Sequence, residues 1–289
     1  MKMNMTNKDI VETFGCRLNT FESEIIKSNL PAASERRRIV FNTCAVTAEA
    51  ERQARQAIRK ARRVNPDAEI IVTGCSAQLN PKTFANMPQV DRILGNEEKL
   101  SPHVWNEDGG PKTLVTDIMN VSEVAPQLVA GFENRVRAFV QVQQGCDHRC
   151  TFCIIPFARG NSRSIPIGKL VEQTQTLIDN GYKEIVLTGV DLTSYGSDLP
   201  GQPSLGNMAG RLLKHVPDLK RLRLSSLDPV EIDADLLKLI GNEHRLMPHL
   251  HLSIQAGDDM ILKRMKRRHL RNDVIDIAKQ LRDIRPDIV

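Results

Sequence analysis

The sequence predicts an α/β protein: an N-terminal parallel-sheet α/β domain, followed by a partial (β/α) barrel. Three observations carry this. Strand-like apolar runs alternate with helical patterns from residue 10 onward, the signature of a parallel sheet with covering helices. Each of the first three runs leads into a cysteine, Cys16, Cys44 and Cys75. From Val136 onward four β–α units follow one another, as in a barrel or open barrel whose site lies at the strand carboxyl ends.

In order, Ile10–Phe14 is a short apolar run and Asn19–Asn29 a helix. Ile39–Asn42 is a strand, Ala48–Val64 a helix and Glu69–Thr73 a strand ended by Gly74. The stretch between Leu30 and Ile39 is short and is expected to shorten or remove a strand. Residues 95–131, with Pro102, Gly109-Gly110-Pro111 and Pro126, read as a linker region with one short strand near Thr113–Val115. Val136–Gln143 is the next strand, followed by a cysteine loop and a helix over Ile167–Asn180. Then come strand Glu184–Thr188, helix Asn207–His215, strand Arg221–Leu224, helix Glu231–Gly241, strand His249–Ile254 and a broken helix from Met260 to Arg285. The expected domains are 1–130 and 131–289.

The 289 residues suit about two domains of roughly 100–200 residues each. With 40% hydrophobic and 26% charged residues the chain has ordinary globular composition. Six cysteines are too sparse for a disulfide scaffold. No apolar run approaches the ~18–20 residues that span a bilayer, and the first ten residues lack the apolar core of a secretion signal. The expectation is a cytoplasmic protein without a membrane partner, whose cysteines are ligands or reactive groups.

The net charge is +5, a modest excess. Residues 1–130 hold 17 Lys+Arg against 16 Asp+Glu, and 131–289 hold 23 against 19, so an anion site must come from local faces. On a helix over Ala48–Val64, Arg52, Arg55, Arg59, Lys60, Arg62 and Arg63 fall within about 160° of the wheel, opposite Ala54, Ala57, Ile58 and Ala61. Lys263, Arg264, Lys266, Arg267, Arg268 and Arg271 form a second cluster, and Arg36–Arg38 a third. Each alone reads as a solvated face; together they suggest a phosphate-backbone partner. Aromatics are too scarce for a base-stacking platform.

The strongest signal is Gly145-Cys146-Asp147-His148-Arg149-Cys150-Thr151-Phe152-Cys153, a C-x3-C-x2-C spacing directly after a strand. Three thiolates suit a 4Fe–4S cluster with one open iron, where ferredoxin-type carriers use a fourth cysteine. Zinc wants a fourth Cys or His, and His148 sits awkwardly between the first two ligands; unliganded thiols are the third reading. Cys44 and Cys75, read singly, are equally well buried small hydrophobes.

The triad, continuing through Ile154-Ile155-Pro156 and Arg159-Gly160, resembles the radical S-adenosylmethionine enzymes, and within them the methylthiotransferases. The same resemblance runs through Gly15-Cys16-Arg17-Leu18-Asn19, Asn42-Thr43-Cys44, Gly74-Cys75-Ser76-Ala77-Gln78, Leu187-Thr188-Gly189-Val190-Asp191, Arg223 to Pro229 and His251-Leu252-Ser253-Ile254-Gln255. Gly15–Ser23 and Asn42–Arg52 look most like the subfamily acting on N6-threonylcarbamoyladenosine in tRNA. The chain resembles a C-terminally truncated member: four of about six β–α units are present, ending at Asp287-Ile288-Val289 where a fifth strand would begin. The later glycine-rich cofactor motif and the small C-terminal β-barrel are not in the sequence.

The resemblance implies a transferase with two [4Fe–4S] clusters and S-adenosylmethionine. Cys146, Cys150 and Cys153 would hold the cluster that cleaves the sulfonium, and Cys16, Cys44 and Cys75 an auxiliary cluster concerned with sulfur. The radical so made reaches the adenine C2–H, which no base can ionise at neutral pH. Phe152 would lie near the cofactor adenine, Gly189, Val190 and Asp191 near its amino group, and Ser226 and Gln255 on the pocket wall, the alternative for the last five being ordinary strand-end or packing residues. Partners would be the tRNA anticodon stem-loop, steered by Arg52, Arg55, Arg59 and Arg62, and an electron-donor protein. Other methylthiotransferase substrates (isopentenyladenosine tRNA or a ribosomal protein), or an inactive iron–sulfur RNA binder, are the alternatives. No catalytic side chain, and no sulfur source, is readable from the sequence.

Overall fold

The computed structural model describes residues 8–31, 36–106, 110–123, 128–132 and 135–289. The chain divides into two compact units, one of residues 1–121 with Phe157–Gly160, the other of residues 122–156 with 161–289. The expectations for residues 1–7, for part of the stretch between Leu30 and Ile39, and for Gly109 and Pro126 fall outside the described residues.

In the first unit five parallel strands are ordered as in the sequence: β1 (Ile10–Thr13), β2 (Arg38–Thr43), β3 (Glu69–Gly74), β4 (Arg92–Leu94) and β5 (Thr113–Leu114). The period-2 pattern of β2 to β4 explains the two covering layers. Ile39, Phe41, Ile70, Val72 and Ile93 pack on one face with Ile58, Ala77 and Phe84. Val40, Ile71 and Leu94 pack on the other with Ile26 and Trp105. The helices are α1 (Arg17–Asn29), α2 (Ala48–Val64) and the short α3 (Cys75–Leu79), α4 (Pro81–Ala85) and α5 (His103–Asn106). Thr47 caps α2, its hydroxyl accepting from the Ala50 amide at 3.2 Å; Glu49 and Glu51 at its start and Arg62 and Arg63 at its end match the helix dipole.

The expected linker is more ordered than its composition suggests: residues 98–120 hold two 3-10 turns, α5 and β5. The sequence reading also passed over β4. Its three residues are too few to display a period, and pairing with β3 and β5 defines the strand.

The second unit has a three-stranded parallel sheet, β6 (Ala138–Gln141), β9 (Glu184–Thr188) and β10 (Arg221–Leu224), with β9 central. An antiparallel pair, β7 (Gln143–Gln144) and β8 (Arg163–Ser164), brackets the cysteine loop and α6 (Ile155–Arg159). Helices α7 (Ile167–Asp179), α8 (Leu205–His215) and α9 (Ala234–Asn242) follow β8, β9 and the β10 region, so the alternating β–α order is present. The last strand is shorter than the expected His249–Ile254. Only β12 (His251–Leu252) pairs, in parallel with β11 (Ser226–Leu227). Pro248 has no amide to donate, and beyond Leu252 the chain turns, reaching a left-handed φ of 62° at Gln255. The broken helix is α10 (Asp259–Arg264) and α11 (Arg271–Ile284). Val289 exchanges backbone hydrogen bonds with Pro248 and Leu250 at 3.0 and 2.8 Å, beside the expected fifth-strand position. No helix among the described residues is long and apolar enough to cross a membrane.

One interaction dominates the first unit's interior. The Glu22 carboxylate, on α1 and fully buried, accepts from Lys99 Nζ at 2.7 Å and from Arg159 Nη1 and Nη2 at 2.8 and 3.0 Å. Burial works to raise its pKa, but the Arg159 and Lys99 charges outweigh burial and hold it at about 2. A depressed folded pKa gives stability that is complete above the ordinary carboxylate range and is lost as pH falls through the folded value. Urea unfolding of the first unit, followed by Trp105 fluorescence, should therefore show a midpoint that declines as pH falls from about 4.5 to about 2. Glu22→Gln should be less stable at pH 7 with a shallower decline; an undiminished decline would place the acid sensitivity elsewhere.

Candidate metal centre and cofactor pocket

The loop between β7 and α6 carries Cys146, Cys150 and Cys153, all free and half-buried. A turn closes it, Cys153 N donating to Cys150 O at 3.0 Å. Gln143, fully buried on β7, holds the loop to its surroundings. Its Nε2 donates to Gly145 O, Gln144 O and Ser162 Oγ, and its Oε1 accepts from the Val190 and Asp191 amides at 3.0 and 2.9 Å. The sequence offered no signal for this role, because Gln143 reads as one more polar residue in an alternating strand. The same contact explains Gly189: a Cβ there would stand 3.0 Å from Gln143 Oε1. Gly189 serves close packing and does not line the cavity.

A cavity of about 160 Å³ brings together the three thiols, Phe152, Val190, Asp191, Ser226 and Gln255, so five of the six expected cofactor residues meet. His148, Asp228, Ser253 and Arg267 join them, and none of these four was expected. Phe152 is 52% exposed, an aromatic face open beside the thiols. Ser226 Oγ lies 2.8 Å from His251 Nδ1. Gln255 occupies the left-handed region, an unfavourable conformation for a non-glycine residue on a cavity wall.

Charges of both signs flank the thiols. Asp191 Oδ2 accepts from Cys146 Sγ at 3.4 Å, from Ser194 Oγ at 2.8 Å and faces His148 Nε2 at 2.9 Å. Arg267 Nη1 lies 3.7 Å from Cys150 Sγ, while its Nη2 binds Asp228 at 2.6 Å. Arg268 pairs with Glu231 and reaches His148. Burial, reinforced by Asp191, pushes the Cys146 thiol up to about 12, and burial also raises Cys153. A positive metal core reverses that preference, since its ligands are thiolates. Cys146, His148 and Asp191 also lie mutually within 4.8 Å, a set that suits a single ion, but it uses only one of the three cysteines.

In the first unit the other cysteines stand where parallel strands end, the usual place for ligand sites. Cys16 caps α1, Cys44 follows β2 and Cys75 opens α3. The preceding glycines are required by geometry. Gly15 has φ +97°, and a Cβ on it would lie 2.7 Å from Cys44 Sγ. Gly74 has φ +94°, and its Cβ would meet Thr43 O at 2.3 Å. Burial raises the Cys44 thiol, and the charges of Cys75 and Cys16 raise it further. Three free thiols, with the space beside Cys44 kept open by Gly15, fit a thiolate-held cluster.

The basic residues separate. Arg62 pairs with Asp91 and donates to the Gln89, Pro66 and Ala68 carbonyls, so it braces the fold. Arg52 and Arg55 pair with Glu49 and Glu51 on their own helix. Arg59, Lys60 and Arg63 point to solvent. The Arg36–Arg38 cluster is structural: Arg36 donates to Asp67 O, Arg37 to Lys8 O and Asn65, and buried Arg38 to Trp105 O.

Comparison with known proteins agrees with this geometry. Residues 8–95 match the model of Uncharacterized protein family UPF0004, and 140–289 that of the Radical SAM superfamily. The chain is 58% identical to the threonylcarbamoyladenosine tRNA methylthiotransferase MtaB of Rickettsia prowazekii, covering 99% of this chain and 67% of that one. It is 33% identical to the tRNA-2-methylthio-N(6)-dimethylallyladenosine synthase of Lawsonia intracellularis, covering 96% and 66%. The chain thus spans about two thirds of the length of the curated relatives it matches. The radical S-adenosylmethionine methyltransferase TsrM of Kitasatospora setae, solved with cobalamin and a [4Fe–4S] cluster, shares the fold, with TM-score 0.62 and 14% identity over 92% of this chain and 59% of that one. The superfamily implies a [4Fe–4S] cluster and S-adenosylmethionine, and the three thiols lining the cavity fit the ligand set of such a cluster. By sequence, fold and thiol geometry together, the chain belongs to the radical S-adenosylmethionine superfamily and, within it, to the methylthiotransferases.

Proposed function

We propose that the protein adds a methylthio group at C2 of N6-threonylcarbamoyladenosine beside the tRNA anticodon, using two [4Fe–4S] clusters and S-adenosylmethionine. The observation that carries the reading is the pair of three-cysteine sets, each at the carboxyl ends of parallel strands. Of the possible substrates, threonylcarbamoyladenosine is supported by 58% identity to a relative named for it, against 33% to one named for the dimethylallyl nucleoside.

Cys146, Cys150 and Cys153 hold the first cluster, which with bound S-adenosylmethionine supplies the radical. Asp191 and Arg267 flank the thiol set with a carboxylate and a guanidinium, the pairing that the amino-acid end of the cofactor needs. Phe152 offers an apolar face for an aromatic ring. Val190, Ser226 and Gln255 line the same cavity. Cys16, Cys44 and Cys75 hold the second cluster. A protein electron donor reduces the clusters, and the reaction runs in the cytoplasm.

Two experiments test this. After anaerobic reconstitution, Cys146→Ala should abolish reductive cleavage of S-adenosylmethionine. Cys44→Ala should retain cleavage while methylthio transfer to tRNA, read by nucleoside mass spectrometry, disappears. Transfer surviving in Cys44→Ala would sink the two-cluster reading. On α2, Arg59→Glu and Arg63→Glu should each weaken tRNA binding and reduce the salt slope by about 1. Arg62 is already committed to Asp91, so Arg62→Gln should lower stability and leave the salt slope in place. Equal slopes in all variants would remove α2 from the RNA interface.

A further inference from the structure

Beneath Cys16, Cys44 and Cys75 lies a buried charge network that the reaction does not use. Glu22 and Lys99 are completely buried, and Arg159 is 1% exposed. The single Glu22 carboxylate is shared by both cations. Each cation also reaches an asparagine that touches a thiol. Arg159 Nη2 donates to Asn19 Oδ1 at 2.6 Å, and that oxygen accepts from Cys16 Sγ at 3.9 Å. Lys99 Nζ donates to Asn96 Oδ1 at 2.7 Å, and Asn96 Nδ2 lies 3.8 Å from Cys75 Sγ. Lys99 Nζ further reaches Asn42 Oδ1 at 3.4 Å, two residues before Cys44.

Removing two cations from water around one carboxylate is costly. Protonated thiols do nothing to offset that cost; thiolates closed around a metal core do. The Asn96 bridge points the same way, since its Nδ2 donates to Cys75 Sγ, and hydrogen bonds to sulfur and nearby charge are two levers that set cluster potential.

We propose that Lys99 and Arg159 are positioning residues for the cluster held by Cys16, Cys44 and Cys75: their buried charges, that of Lys99 carried to Cys75 through the Asn96 amide and that of Arg159 held behind Asn19, retain that cluster and raise its reduction potential. This rests on the reading of those three cysteines as cluster ligands. The step concerned adds one electron to the bound cluster, here from dithionite. A fixed positive charge nearby favours the more negative, reduced form.

The test uses the full chain with Cys146, Cys150 and Cys153 each changed to Ala, reconstituted anaerobically. The parent should hold about four irons. Potentiometric titration followed by electron paramagnetic resonance then gives the midpoint. Lys99→Met, which leaves the Glu22–Arg159 pair intact, should shift the midpoint negative. Glu22→Gln should shift it positive, and Arg159→Lys should leave it near the parent value. Circular dichroism melts identify any variant that does not fold, and the remaining variants still decide the sign. Unchanged midpoints, or shifts of one sign in Lys99→Met and Glu22→Gln, overturn the inference. A parent that binds no iron overturns the cluster reading itself, and this inference with it.

Discussion

The first unit is organised around one buried carboxylate. Glu22 lies on the first helix, yet its partners are Lys99 and Arg159, 77 and 137 residues later in the chain. A carboxylate removed from water is tolerable only with those cations in place, so the fold of residues 17–29 is tied to the 3-10 turn at Glu98–Leu100 and to the segment Phe157–Gly160. The first unit is therefore discontinuous in sequence. Buried ion pairs contribute little net stability compared with apolar packing, but they discriminate sharply between arrangements, because any alternative leaves a charge unpaired.

The second constraint is the parallel sheet. Parallel strands have both faces covered, which leaves their carboxyl ends as open ground for chemistry. The sequence uses those ends twice, with a glycine before the cysteine in three of the four loops concerned. At Gly15 and Gly74 the left-handed backbone and the closeness of Cys44 and Thr43 exclude any side chain. These Gly-Cys pairs are thus one structural unit: the glycine turns the chain at the strand end and leaves room for the neighbouring strand's residues, Cys44 beside Gly15 and Thr43 beside Gly74.

Much of this was legible from local pattern. Strands β2, β3, β9 and β10 carry apolar runs, and Cys44 and Cys75 were visible at the ends of the first two. What was not legible depends on partners distant in sequence. Arg59 and Arg62 share one face of the same helical wheel; Arg62 is bound to Asp91, 29 residues away, while Arg59 faces solvent. Arg267 and Arg268 read as a solvated basic cluster, but Asp228 draws Arg267 to the cavity wall and Glu231 pairs with Arg268. Glu22, Lys99 and Gln143 carry no local mark at all, since burial of a polar residue is a property of the packed fold. Gly189 was read as a cofactor contact because it sits in the right loop, and the Gln143 side chain occupies the space it leaves.

The two thiol sets are alike in ligand number and differ in how charge reaches their sulfurs. Around Cys146, Cys150 and Cys153 charges of both signs gather: Asp191 touches Cys146, Arg267 lies 3.7 Å from Cys150 Sγ, and Asp228 and Glu231 pair with Arg267 and Arg268. Around Cys16, Cys44 and Cys75 the nearest fixed charges include two buried cations reached through Asn19 and Asn96. Net charge and hydrogen bonding to sulfur are what separate the potentials of otherwise identical clusters. Cleaving a sulfonium demands a strongly reducing centre, which a carboxylate at the ligand favours. A centre that handles sulfur needs no such drive, and cations beside its ligands favour a milder potential and firmer retention of an anionic group. What separates the sets in charge is therefore local: a carboxylate on Cys146 and a guanidinium beside Cys150 in one, and a buried lysine behind the asparagine that donates to Cys75 in the other.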